Sequence, residues 1–181
     1  MVKNKGYTLV EVIIVVAIMA ILSGASVFTV GIIRQSKRQA ATNTLNNQIS
    51  NCLIQTKAVS PGTNGSDAPL CMVIRKRTDG CYAVMLGYLT GSDVTDSAGN
   101  SLNPDDDASC EAILSKEISN IVYRPSDAMQ QLSASDMVIQ FIKSDSSTQY
   151  GGGSYELYAR SGELYATIYL DKVSGNHYIG K

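Results

Sequence analysis

The sequence predicts an α+β protein: one long N-terminal α-helix, its first half membrane-spanning, packed on a small antiparallel β-sheet. Three observations predict it. From Val12 to Ile33 there are 22 residues without a charge. Beyond Arg34 no proline occurs before Pro61 and no glycine before Gly62, so nothing breaks a helix that continues past the apolar run. From Cys71 onward, β-rich runs are separated by Asp79-Gly80, Gly151-Gly152-Gly153 and Ser161-Gly162, the punctuation of strands and turns.

The chain opens on a short basic leader, Met1 to Gly6, with Lys3 and Lys5 as its cations. Tyr7-Thr8-Leu9-Val10-Glu11 follows, and then the uncharged run. At 1.5 Å of rise per residue that run makes a helix of about 33 Å, enough to cross a hydrocarbon core. A carboxylate beside such a helix is costly, about 2.5–3.5 kcal/mol at the bilayer centre and less near an end, so Glu11 asks for a functional reason. A plain membrane anchor supplies none. A secretory signal peptide has an apolar core of about 7–15 residues ending at small residues. Ala17 to Ala20 and Ser23 to Ala25 imitate such an end, but the run continues past both.

On Lys5-Gly6, Tyr7-Thr8-Leu9-Val10-Glu11 and the unbroken apolar helix, this N-terminus resembles those of type IV pilins and of the pseudopilins of type II secretion and competence machines. The resemblance covers the first fifth of the chain. It implies that a prepilin peptidase cuts between Gly6 and Tyr7 and methylates the new amine of Tyr7. It also implies that Glu11 helps the subunit dock into a filament. Tyr7 stands where the family usually has Phe or Met and keeps the aromatic bulk. The proline that many pilins carry in mid-span is missing; Phe28 stands in that neighbourhood. Gly24 and Gly31, with Ser23, Ser26 and Thr29 around them, are weak helix formers there.

The helix is expected to run about 50 residues, from near Thr8 to near Ala58, and to end at Ser60-Pro61-Gly62. In its second half Leu45, Ile49, Cys52 or Leu53, and Thr56 recur at three- and four-residue steps and make one apolar face. The organisation read from this is a leader at 1–6, a membrane and assembly half at 7–33, an amphipathic half at 34–59 and a β-rich extracytoplasmic body at 60–181.

The net charge of −1 hides an asymmetry. Through Arg38 there are five basic residues and one acidic; the remainder holds ten basic and 15 acidic. A basic membrane-proximal end and an acidic body suit a protein held at a membrane with its body in water, and argue against nucleic acid as the body's main partner. Cations flank the apolar run on both sides, so charge alone does not orient it. The resemblance does, placing the N-terminus in the cytoplasm and the body outside.

Cys52, Cys71, Cys81 and Cys110 all lie in or next to that body. An even count in an exported domain permits two disulfides in any of three connectivities; four buried free thiols are the other reading. No C-x-x-C pair occurs and the single histidine, His177, is distant in sequence, which disfavours structural zinc.

In the body, residues 60–69 read as a polar loop. A β-hairpin is expected around Asp79-Gly80; with those two as its turn residues, Thr78 faces Cys81 and Cys71 lies far down the ladder. Residues 91–107 read as an acidic loop. Its oxygen-rich spacing would suit calcium, but Asp105, Asp106 and Asp107 fit better at the N-terminal end of a helix over 108–120. A strand meander closes the chain: an alternating run at 137–143, strands at 154–160 and 163–171, and a short one at 177–179. Tyr155, Leu157 and Ala159 share one face, opposite Leu164, Ala166, Ile168 and Leu170. Tyr150, Tyr158, Tyr165, Tyr169 and Tyr178 read as sheet-stabilising residues before a partner-binding face. Gly151 to Gly153 read as a flexible turn, with no helix after them to make a phosphate loop.

No catalytic constellation, metal set or cofactor motif emerges. Arg75-Lys76-Arg77 beside Tyr82 and Tyr88 would suit DNA; a solvated strand end explains the run as well. The expected function is a structural subunit, major or minor pilin or pseudopilin, of a type IV pilus or pilus-like filament. Its expected partners are other copies of itself or related pilins, the prepilin peptidase, the inner-membrane assembly platform and membrane lipid. The alternative is a membrane-anchored extracytoplasmic binding domain that does not polymerise.

Overall fold

The computed structural model describes residues 8–58, 69–90, 93–126 and 136–180. It divides into two compact units, Met1–Ser36 and Lys37–Lys181. Helix α1 runs over Leu9–Ala58. In the first unit it is long and apolar enough to cross a membrane, and its large side chains from Leu9 to Leu22 are exposed.

In the second unit the same helix buries a stripe of Ala41, Leu45, Ile49, Cys52 and Thr56. Steps of four, four, three and four residues keep these on one side of a helix with 3.6 residues per turn. Of the two residues the periodicity left open, Cys52 is fully buried and Leu53 only half-buried. The hydroxyls of Thr42 and Thr56 donate to the carbonyls of Arg38 and Cys52, so the buried polar groups of the stripe are satisfied within the helix.

Among the described residues ten strands follow: β1 (Leu70–Lys76), β2 (Tyr82–Thr90), β3 (Asp93–Thr95), β4 (Ala112–Ile113), β5 (Ile118–Pro125), β6 (Met137–Phe141), β7 (Thr148–Tyr150), β8 (Gly153–Ala159), β9 (Leu164–Leu170) and β10 (His177–Gly180). They form two antiparallel sheets. The larger has the order β3-β2-β1-β6-β7, with β4 also on β2; the smaller is β10-β9-β8-β5.

Strand β1 separates two cores. Met72 and Ile74 join α1, Tyr155, Leu157 and Ile168 in the larger one. Cys71 and Val73 point the other way, to Ala83, Met85 and Val138 under Val94 and Leu102. Because β6 also has apolar cover on both faces, all five of its residues are buried, including Gln140. The alternation expected at 137–143 is thus not an alternation of exposure.

Four further expectations need correction. Residues 108–120 form no α-helix: a single 3-10 turn at Asp107–Ser109 leads into β4 and β5. Asp106 does cap that turn, its side chain accepting the Ala108 N–H. The segment beyond then finds partners in strands: Glu111 and Leu114 donate to the carbonyls of Val84 and Tyr82. Tertiary pairing here overrides a local apolar spacing that fits helix or strand.

The first hairpin is also one residue out of the expected register. Lys76 faces Tyr82, and the Arg77 N–H donates to the Cys81 carbonyl, so the loop is Thr78-Asp79-Gly80. Gly80 at φ +86° supplies the left-handed residue a three-residue hairpin loop needs, and Asp79 accepts the Cys81 N–H.

Last, Leu164 is half exposed, whereas Ala166, Ile168 and Leu170 are buried as expected. A bulge that pairs Leu157 with Ala166 but Tyr158 with Leu164 turns it outward. Gly151 to Gly153 are a tightly packed crossing, not a loose turn. Gly151 has φ +85°, and a Cβ there would lie 2.6 Å from the Val138 carbonyl oxygen.

Candidate functional site

The head of α1 is built from Thr8 and Glu11. Thr8 is the N-cap: its carbonyl accepts the Val12 N–H, and its Oγ1 accepts the Glu11 N–H at 3.3 Å. Glu11 Oε2 reaches back to accept the Thr8 N–H at 2.8 Å and the Thr8 hydroxyl at 2.9 Å. This is a reciprocal capping box, in which a Thr-x-x-Glu spacing satisfies donors that a helix start otherwise leaves bare. Thr8 is the residue that sequence reasoning missed as a partner, although its three-residue offset from Glu11 was legible. Gly6 and Tyr7 lie outside the described residues.

The four cysteines are free thiols in this structure. Cys52 sits in the helix-side core, Cys71 in the second core and Cys81 at the close of the first hairpin. Burial pushes the thiols of Cys52 and Cys71 up to about 12. Burial also raises Cys81 and Cys110. Cys71 faces Gly87 while Cys81 faces Arg77, six residues further along β1. That is about 20 Å of strand, beyond the roughly 7 Å reach of a disulfide.

The basic run is tied to carboxylates and to the sheet. Arg75 forks onto Asp136 through Nε at 2.8 Å and Nη2 at 2.6 Å. Arg77 Nη1 donates to Asp107 at 2.7 Å, a bond that raises its pKa further. Lys76 donates to the Ser119 carbonyl and lies over the Tyr82 ring. The acidic loop is likewise engaged: Asp96 accepts from Ala98 and Asn100, Asp105 from Thr78, and Asp107 from Arg77. Among the described residues no group of three or more His, Cys, Asp or Glu is placed to hold a metal ion.

Among the described residues two tyrosine pairs stack. Tyr123 and Tyr155 lie 5.0 Å apart, and their hydroxyls donate to the carbonyls of Gly152 and Gly151. Tyr169 and Tyr178 lie 5.1 Å apart on the outer side of the smaller sheet. Tyr165 takes Arg38 over its ring, and Tyr158 donates to Glu156. His177 shares a 2.8 Å hydrogen bond with Ser50 of α1.

No curated protein and no solved structure matches the chain. Residues 1–27 match the family model described as the prokaryotic N-terminal methylation motif, and with it the chain carries the signature of type IV pilins and pseudopilins.

Proposed function

We propose that the protein is a structural subunit of a type IV pilus or pilus-like filament, stored in the membrane as a precursor and released into the filament from there. In this reading the leader is cut between Gly6 and Tyr7, the new amine of Tyr7 is methylated, and Glu11 guides docking. The observation that carries it is the head of α1. A carboxylate stands at the start of a long helix whose first stretch is uncharged and whose large side chains are exposed from Leu9 to Leu22, within a methylation motif. A helix meant only to anchor gains from Glu11 no more than the cap it shares with Thr8, and that cap does not call for a charge beside the apolar run. A helix meant to pack among identical apolar helices can use it, because a buried carboxylate selects a positive partner, and the N-terminal ammonium of a neighbour exists only after cleavage.

Two measurements test this. Intact mass should show a chain beginning at Tyr7 and heavier by one methyl group; a start near Ile21 or Ser26 would mean a secretory signal peptide. Glu11→Val should insert, be cleaved and fold, yet enter filaments poorly. The readout is the ratio of filament-bound to membrane-bound protein in a host with the assembly machinery. Equal assembly of wild type and variant would remove the role given to Glu11. Failure of both to assemble there would favour the non-polymerising anchored domain.

A further inference from the structure

We propose that the outer face of the smaller sheet is a groove for a neutral saccharide, with the Tyr169–Tyr178 pair as its stacking platform and Arg124 as its hydrogen-bonding end. The register puts these residues in one row. Arg124 faces Ser154, Ser154 faces Tyr169, and Tyr169 faces Tyr178, one residue from each of β5, β8, β9 and β10. The neighbours Tyr155, Leu157, Ile168 and Leu170 are buried, so alternation turns the row outward. At about 4.8 Å per strand, Arg124 and Tyr178 stand roughly 14 Å apart along it. Small residues, Gly153 and Ser154, lie between them and leave a groove of about 550 Å³. That volume falls within the range of small-ligand sites, about 300–1,000 Å³.

The aromatic wall differs from the stacked Tyr123–Tyr155 pair. Tyr155 is fully buried and the hydroxyls of both Tyr123 and Tyr155 are spent on backbone carbonyls. Tyr169 and Tyr178 are 40% and 62% exposed, and neither hydroxyl has a hydrogen-bond partner among the described residues. The pose of Tyr169 also depends on a glycine. A Cβ on Gly180 would lie 2.7 Å from Tyr169 Cε2, so the ring lies over β10 only because Gly180 has no side chain.

The polar end is held in place. Arg124 Nε donates to Glu156 Oε1 at 2.5 Å, and the Tyr158 hydroxyl donates to Glu156 Oε2 at 2.8 Å. Arg124 remains 62% exposed. Across the groove, Asp171 accepts from the Val173 N–H and the Ser174 hydroxyl within its own turn. Arg124 and Lys172 are therefore balanced by Glu156 and Asp171. A polyanion finds no net positive field here. A sugar ring, with an apolar C–H face and a rim of hydroxyls, finds an aromatic face for the first and fixed donors and acceptors for the second.

The test is saturation-transfer NMR on the full chain in a zwitterionic detergent without a sugar headgroup. The probes are lactose, maltotriose and chitotriose, with a short oligodeoxythymidine as the polyanion. Transfer to the ring protons of at least one of these neutral sugars is expected. Its Kd should rise at least tenfold in Tyr178→Ala and in Arg124→Gln, with circular dichroism unchanged, and Tyr178→Phe should retain binding. Arg124 is exposed, so its variant reports even if Tyr178→Ala fails to fold. No transfer to any of the three sugars, binding that survives Arg124→Gln, or preference for the oligonucleotide would overturn the proposal. So would a Tyr178→Ala defect confined to self-association, which would make the face a contact between copies of this chain.

Discussion

Tyr82 joins the two sheets: its hydroxyl donates to Asn120 Oδ1 at 3.0 Å and accepts the Ile121 N–H at 3.2 Å. Tyr82 belongs to β2 and its two partners to β5, so one phenol bridges elements that share no ladder. Tyr82→Phe would leave the buried Ile121 amide without its partner. An unsatisfied buried donor costs about 1–3 kcal/mol. Urea unfolding of the full chain should show a lower midpoint at an unchanged slope. An unmoved midpoint would mean that water replaces the phenol at no cost.

The capping box can be separated from assembly. Thr8→Val removes the hydroxyl that binds both the Glu11 amide and the Glu11 carboxylate. Loss of an N-cap costs about 1 kcal/mol, or about a fivefold change in the opening equilibrium of the first turn. Hydrogen exchange at Glu11 in micelles should speed up by about that factor, while exchange in β1 and β6 stays as it was. Equal acceleration throughout would point to a folding defect and not to a lost cap.

Buried thiols should be silent until the fold opens. With Cys52 and Cys71 pushed up to about 12, almost no thiolate exists at pH 8, and both sulfurs are shielded. Iodoacetamide at pH 8 should leave these two unmodified in the native chain and label them in urea. Labelling of Cys52 or Cys71 at the same rate in both states would contradict the packing described. Under mild oxidation, peptide mapping should find no Cys71–Cys81 bridge.

Acid should weaken the body from a defined pH. Asp96 is held below its ordinary value first by the Asn100 side chain, and Glu156 first by Arg124 and then by Tyr158. Asp171 is lowered first by Ser174 and then by the Val173 amide. Each has a folded pKa below its unfolded one, so its stabilisation is complete above the unfolded value, about 4 for a carboxylate. It is lost as pH falls through the lowered folded value. Tm should therefore hold between pH 7 and 5 and drop below about pH 4. Asp96→Asn, which keeps one acceptor oxygen and cannot titrate, should make that drop shallower; parallel curves would refute the assignment.

How much of this was legible depended on sequence distance. The helix was, because its signal is local: an uncharged run, a stripe at Leu45, Ile49 and Cys52, and no breaker between Arg34 and Ser60. The hairpins at Gly80 and Gly162 were legible for the same reason, though a dipeptide could not say whether the first loop held two residues or three. What escaped was long-range. Met137 lies beside Ile74, and Ile118 beside Ala159, and nothing near either residue announces that partner. The segment 108–120 shows the cost. Its buried residues Leu114, Ile118 and Ile121 are spaced as on an apolar helical face, yet backbone partners in β2 and β8 hold Leu114 beside Tyr82 and put Ile118 and Ile121 in β5.

At the candidate site the motif was legible and its chemistry only half so. Glu11 stands out as a charge on an apolar run, whereas Thr8 looks like any residue before a helix until the hydrogen bonds are seen. The groove beside Tyr169 was illegible, since a row of one residue from each of four strands exists only once the register is known.

The three-residue loop at Thr78 to Gly80 has a reach well beyond its own turn. Strand β1 serves two cores by parity, with Met72 and Ile74 on one side and Cys71 and Val73 on the other. A slip of one residue would send each pair into the other's compartment, placing Met where Val fits and a thiol against α1. Gly80 therefore acts as an indexing pin for the whole second unit. A β-branched residue at its φ of +86° would strain the loop, and a slip that relieved the strain would be felt about 20 Å away, as mispacking beneath the helix.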